Sequence, residues 1–250
     1  MRNSGISGVL ASNGYWFNLD TYEWKKRATV PHRPISELPT PLYSFRNKPT
    51  FFGNQDCDNE GYCEFTKVIQ YDPIRNNWEQ IGSLNRGRTR QEVIMVPSSF
   101  CDGLEAPPTS EPTMTPPPTD APSVTPQPPA ALDTVAMIVG GYAVGEEGDQ
   151  FVELDTVELF GCDGPSREIA NLPIGMYQFS GAFVHDESSD RVLVCGGYQC
   201  KNDDLNCADL SDTCYEWRPN QNEWIQVPSL VSPRRTHATV QVIQIICAGS

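Results

Sequence analysis

Short apolar runs alternate with polar turns along the chain. Gln91–Val96 (QEVIMV), Val135–Val139 (VAMIV) and Arg191–Cys195 (RVLVC) are rich in β-branched residues and bounded by Gly, Pro, Asn and Asp, a pattern that predicts buried strands. The runs repeat. Phe17-NLDTYE-Trp24, Tyr71-DPIRNN-Trp78, Phe160-GCDGPS-Arg167 and Trp217-RPNQNE-Trp224 each place an aromatic residue seven positions before a second site, which is Trp in three of the four. An apolar run, a polar turn and a second run read as a hairpin. The anchors 17, 71, 160 and 217 lie 54, 89 and 57 residues apart, and the long interval holds an insertion whose removal restores a period in the fifties.

A second marker precedes the anchors by about twenty residues. Gly140-Gly141-Tyr142 and Gly196-Gly197-Tyr198 each end an apolar run, and Phe51-Phe52-Gly53-Asn54 holds the same place in weaker form. Paired glycines at a strand end allow positive φ or close backbone approach. A polar or basic turn follows the strand after Trp78 and the strand after Trp224, with Arg86, Arg88 and Arg90 in one and Arg234 and Arg235 in the other, and then comes a further apolar strand. One period is therefore four strands.

The insertion, residues 105–131, is unlike the rest. Ala106–Ala130 carries 10 of the 22 prolines and seven Ser or Thr in 25 residues. Proline removes donors and fixes φ, so an extended, solvated, disordered tether is expected, and the composition also suits an O-glycosylated stalk. No Asn-x-Ser/Thr acceptor occurs. The chain thus divides into 1–104, the tether 105–131, and 132–250.

The order of diglycine, aromatic, Trp and following Arg resembles the kelch repeat, and the resemblance covers most of the chain outside the tether. It implies an all-β, kelch-type β-propeller of four-stranded antiparallel blades, about four in number, with Trp24, Tyr71, Trp78, Gly140, Gly141, Gly196, Gly197, Trp217 and Trp224 as the structural repeat positions. Arg167 in place of Trp, and Asn54 in place of the second glycine, depart from the pattern. Ile245–Gly249 resembles Leu193–Gly197, so a blade shared between the termini is expected; an incomplete ring that oligomerises is the alternative.

Charge and cysteine content narrow the function. Eighteen Lys plus Arg against 32 Asp plus Glu give a formal charge of −14 in 250 residues, which argues against nucleic acid as partner. No run reaches the roughly 18–20 apolar residues that cross a bilayer, and Met1–Trp16 lacks a signal-peptide core. Nine cysteines are many for a cytosolic chain. Cys57 with Cys63, Cys200 with Cys207 or Cys214, and Cys101 with Cys162 are disulfide candidates, whereas Cys195 and Cys247, in apolar strands, are expected to be buried thiols. An oxidising, secreted or extracellular setting follows, with a cytoplasmic one as the alternative.

Metal and cofactor sites are not expected. Asp56-x-Asp58-x-Glu60-Gly61 imitates half of a calcium loop but ends on Lys67, no Cys-x-x-Cys occurs, and His32, His185 and His237 are scattered. The expected function is a non-enzymatic module that binds a protein or peptide through the loops joining strands 2–3 and 4–1, where Arg86, Arg88, Arg234, Arg235, Tyr62 and Tyr177 are the candidate partner-binding residues. Three other readings remain open. A galactose-oxidase-like copper enzyme requires two His, two Tyr and a Cys–Tyr crosslink. A sugar-binding propeller would stack its ligand on Tyr62, Tyr142, Tyr177 or Tyr198. A cullin ubiquitin ligase substrate-adaptor fragment requires a helical BTB region elsewhere.

Overall fold

The computed structural model describes residues 8–11, 15–18, 22–29, 42–57, 63–102, 134–144, 151–185, 189–199 and 209–235. Strand is nearly the only regular structure among the described residues, and it is arranged in four principal antiparallel sheets with none closed into a barrel. The first sheet contains β1 (Gly8–Ala11), β2 (Tyr15–Asn18) and β3 (Glu23–Lys26). The second contains β4 (Tyr43–Phe45), β5 (Lys48–Cys57), β6 (Cys63–Asp72) and β7 (Asn77–Ser83). The third begins with β8 (Glu92–Pro97), followed by a helical turn α1 (Ser99–Asp102), and continues with β9 (Thr134–Val139). A small hairpin, β10 (Tyr142–Val144) and β11 (Phe151–Glu153), then precedes its last two strands, β12 (Val157–Phe160) and β13 (Arg167–Ile169).

The short strand β14 (Met176–Tyr177) leads into the fourth sheet, which contains β15 (Ser180–His185), β16 (Asp190–Cys195), β19 (Cys214–Arg218) and β20 (Glu223–Val227). Between β16 and β19 lie β17 (Tyr198–Gln199) and β18 (Asp209–Leu210). Within the second, third and fourth sheets the strands pair in chain order as up-and-down meanders. The third sheet draws β8 and β9 from either side of the Pro/Thr-rich segment, so the tether joins two hydrogen-bonded neighbours, and its own residues 105–131 lie outside the described part.

The sheets stack face to face. On β9, Val135, Met137 and Val139 join a core with Phe179, Val192, Val194 and Trp217 of the fourth-sheet side, while Ala136 and Ile138 join Phe45, Phe52 and Val68 of the second sheet. A strand covered on both faces has no polar side to present, which is why VAMIV reads as a continuous apolar run. The first and second sheets meet where Ala28 and Leu42 pack on Tyr71 and Trp78.

The hairpin anchors pair across their strands. Phe17 faces Trp24, Tyr71 faces Trp78 and Trp217 faces Trp224 in register. Two residues before each Trp, the backbone is left-handed, at Tyr22 (φ 56°), Asn76 (φ 55°) and Asn222 (φ 46°). Asparagine tolerates this region better than most residues. The third sheet corrects the sequence alignment: Leu159, not Phe160, faces Arg167. Gly161 (φ 102°) and Gly164 (φ 106°) accommodate a longer turn, which sends Phe160 into the core with Phe45 and Phe52. Trp24 differs from the matching Trp224: it is 59% exposed where Trp224 is 8% exposed, and no described sheet precedes the first one to cover it.

Candidate partner-binding face

Antiparallel meanders put the connections between second and third strands at the same end of the stack as those between one sheet's fourth strand and the next sheet's first. The contacts bear this out. Thr89, in the connection from β7 to β8, exchanges two 2.9 Å backbone hydrogen bonds with Tyr142 at the start of β10. Tyr177, in the connection from β13 to β15, faces Tyr198 of β17 in register. A glycine at positive φ, inside β5 at Gly53 and just after β9 at Gly140, permits the close approach of the next connection. A Cβ on Gly53 (φ +74°) would sit 2.2 Å from the Arg88 carbonyl oxygen, and one on Gly140 (φ +55°) 2.6 Å from the Met176 carbonyl oxygen. Gly53 alone therefore serves the second sheet as Gly140, the first glycine of its pair, serves the third.

These contacts assemble a row of aromatic and cationic side chains. Tyr142 and Tyr177 lie 4.7 Å apart between ring centroids, and Tyr177 and Tyr198 stack at 5.0 Å. The Arg90 guanidinium sits over Tyr142 at 5.5 Å, and that of Arg235 over Tyr198 at 4.8 Å. Both contacts are cation–π interactions within the usual reach of about 6 Å. Burial, reinforced by Tyr142 and Glu153, pushes the Tyr177 hydroxyl up to about 12. Leu210 faces Tyr198 across β17 and β18, and Leu210, Val152 of β11 and Val231 after β20 are exposed apolar side chains.

Arg86, Arg234 and Arg235 are exposed on this face. Arg88 corrects the sequence reading: its side chain is 1% exposed and meets Glu158, 0% exposed, at 2.8 Å. It also donates to the carbonyls of Gly140 (3.0 Å) and Thr156 (2.8 Å). Tyr177 is likewise buried, 5% exposed, because Tyr142 and Tyr198 flank it. Tyr62 lies outside the described residues. Arg90, named in the sequence only as part of a basic turn, caps the row; its place on Tyr142 depends on a partner more than fifty residues away.

The opposite end of the third sheet carries the tether and a disulfide between Cys101 and Cys162, with Cα atoms 5.8 Å apart. Two shallow clefts beside it, of about 370 and 260 Å³, share Cys101, Asp102, Cys162 and Asp163. Their arginines hold the walls: Arg46 donates to the Gly161 carbonyl at 2.8 Å and Arg167 to that of Cys101 at 2.9 Å.

Cys195 is not the buried thiol expected from its strand. It is bonded to Cys214, which faces it across β16 and β19, so Cys214 is unavailable to Cys200 or Cys207. Cys200, Cys207 and Cys247 lie outside the described residues. The β5–β6 register sets Cys57 opposite Cys63, whose side chains also lie outside the described part. Two bonded pairs suit an oxidising environment.

Among the described residues no group of three or more His, Cys, Asp or Glu is arranged to hold a metal ion, and no helix is long and apolar enough to cross a membrane. His185 lies 2.5 Å from Asp190 at the end of the β15–β16 hairpin, and His237 is outside the described part. No protein-family model matches the chain, and no curated protein matches it.

Proposed function

We propose that the chain is a kelch-type β-propeller interaction module, working in an extracellular or secretory setting, that binds a protein or peptide partner through the face bearing the tyrosine row. The observation that carries this reading is the row itself. Five side chains from separate connections, Arg90, Tyr142, Tyr177, Tyr198 and Arg235, converge at one end of the sheet stack. Tyrosine and arginine are the residue types enriched at the energetic centres of protein interfaces, and exposed Val152, Leu210 and Val231 add apolar contact area nearby. Four-stranded meanders stacked face to face, with a left-handed residue two before each hairpin Trp, support the propeller reading. Loops held on a rigid sheet stack are a common setting for binding. Sugar stacking on Tyr177 is disfavoured because its ring is enclosed by two others.

The test is binding to an array of extracellular proteins, comparing the wild-type chain with a variant carrying Arg235→Glu and Val231→Asp. Both positions are exposed, so the fold should survive. A partner bound by wild type and lost by the variant supports the reading. A partner retained by the variant but lost on changing the opposite end, for example with Asp163→Lys, removes it.

A further inference from the structure

The tyrosine row also places phenols where they can be joined to one another. We propose that Tyr142, Tyr177 and Tyr198 form a dityrosine modification site, in which Tyr177 couples to one of its two neighbours under a peroxidase and hydrogen peroxide. Tyr177 meets one phenol at 4.7 Å and another at 5.0 Å between centroids, the second pair only 28° from parallel. Ring atoms of adjacent members are therefore in contact. Tyr43 and Tyr71, by comparison, meet Phe52 and Trp78.

Access is graded along the row. Tyr142 and Tyr198 are partly exposed and Tyr177 is buried, so an oxidant takes its electrons from the ends, and contact passes the oxidation inward. The chemistry balances with one peroxide. Two phenols each give up one electron and one proton to the peroxidase, and hydrogen peroxide is reduced to two waters. The two phenoxyl radicals then join through one carbon–carbon bond between ring positions ortho to oxygen. Each coupled ring loses its ortho hydrogen from carbon and regains one on oxygen, restoring both phenols with a net loss of two hydrogen atoms. Arg90 and Arg235, seated on the outer rings, and the β14–β17 pairing hold the partners together for as long as the radicals last. An oxidising compartment, the setting that suits the two disulfides, is where such an oxidant is met. The linkage would tie the connections of the third and fourth sheets covalently.

The experiment treats the full chain, at a dilution that keeps it monomeric, with peroxidase and hydrogen peroxide. Dityrosine fluorescence and peptide mass mapping are then read. The expected result is a monomer that gains the fluorescence and a linked peptide pair lighter by two hydrogens that joins Tyr177 to Tyr198 or Tyr142. Tyr177→Phe keeps the ring and the stack but should bring the intramolecular signal to background, whereas Tyr22→Phe, at an exposed position, should leave it unchanged. Absence of any intramolecular link in the wild type overturns the proposal. So does a Tyr177→Phe variant, shown folded by near-ultraviolet circular dichroism, that cross-links as well as wild type.

Discussion

Arg88 and Glu158 form a fully buried ion pair, 2.8 Å apart, that joins the connection between the second and third sheets to the centre of β12. The close contact to Glu158 Oε1 is one of charge without a well-directed hydrogen bond; the other carboxylate oxygen accepts from the Ser166 hydroxyl at 2.6 Å and the Asn85 amide at 2.8 Å. Burial alone would pull the Arg88 pKa down, and the Glu158 charge opposes it. Removing one partner leaves an uncompensated charge in the interior, so Arg88→Ala or Glu158→Ala should each cost about 3–5 kcal/mol. Replacing both with apolar residues, Arg88→Met with Glu158→Leu, should recover most of that loss. Chemical denaturation of the three variants reads the coupling; equal losses in single and double variants would remove the ion pair as the cause.

A second long-range clamp repeats. Asn222 Oδ1 accepts from the Ala170 amide at 3.1 Å while Trp224 Nε1 donates to the Ala170 carbonyl at 2.9 Å. Asn76 and Trp78 hold Ala28 in the same way, at 3.0 and 3.2 Å. Each hairpin thus grips the strand end of the preceding sheet. Asn222→Ala loses the acceptor and places an ordinary residue at positive φ, together about 2–3 kcal/mol. Asn222→Gly keeps the backbone freedom and loses only the hydrogen bond, so it should be the milder change, by about 1–2 kcal/mol. Thermal unfolding of the pair separates backbone from side-chain effects.

Legibility in the sequence followed the range of the interactions. The Tyr71–Trp78 and Trp217–Trp224 hairpins were readable because a seven-residue spacing with Asn and Pro between fixes a local turn. The Phe160–Arg167 alignment slipped by one because Gly161 and Gly164 lengthen the turn without disturbing the composition. The burial of Arg88 was not readable, since its counter-charge lies seventy residues on and an arginine after a polar turn looks solvated. Cys195–Cys214 was within reach: one ends a second strand and the other begins the third, which an antiparallel meander sets opposite each other. The tyrosine row was half legible, as tyrosines after the diglycines, but its stacking depends on contacts between sheets.

The two disulfides close loops of different length, with sequence separations of 61 for Cys101–Cys162 and 19 for Cys195–Cys214. On the chain-entropy account their removal costs about 4 and about 3 kcal/mol respectively. Paired substitution to Ala should lower Tm more for Cys101 and Cys162 than for Cys195 and Cys214 if loop entropy dominates. The reverse order would show that lost packing at the buried Cys195–Cys214 pair outweighs it. Repeating the measurement with and without reductant checks the assignment, because each double variant should lose less stability on reduction than the wild type does.

Glu92 gives the fold a pH dependence of definite sign. It lies on β8, and burial raises its carboxyl from 4.5 to about 7, opposed by a hydrogen bond from the Gly181 backbone. The buried phenol of Tyr43 is coupled to the same charge and is itself pushed up, chiefly by burial. A carboxyl whose folded pKa lies above its unfolded value favours folding only while protonated. Its contribution is complete below about pH 4.5, declines through the interval up to about 7, and is lost above that, for a total of up to about 3 kcal/mol. Glu92→Gln removes the titration and preserves the shape. It should be nearly neutral at pH 4.5 and stabilising at pH 8, so the stability difference between variant and wild type should grow with pH across this window and level off beyond it. Denaturant unfolding at four pH values measures the curve; a difference that stays constant from pH 4.5 to 8 would mean that Glu92 is hydrated in the native state and titrates near its ordinary value.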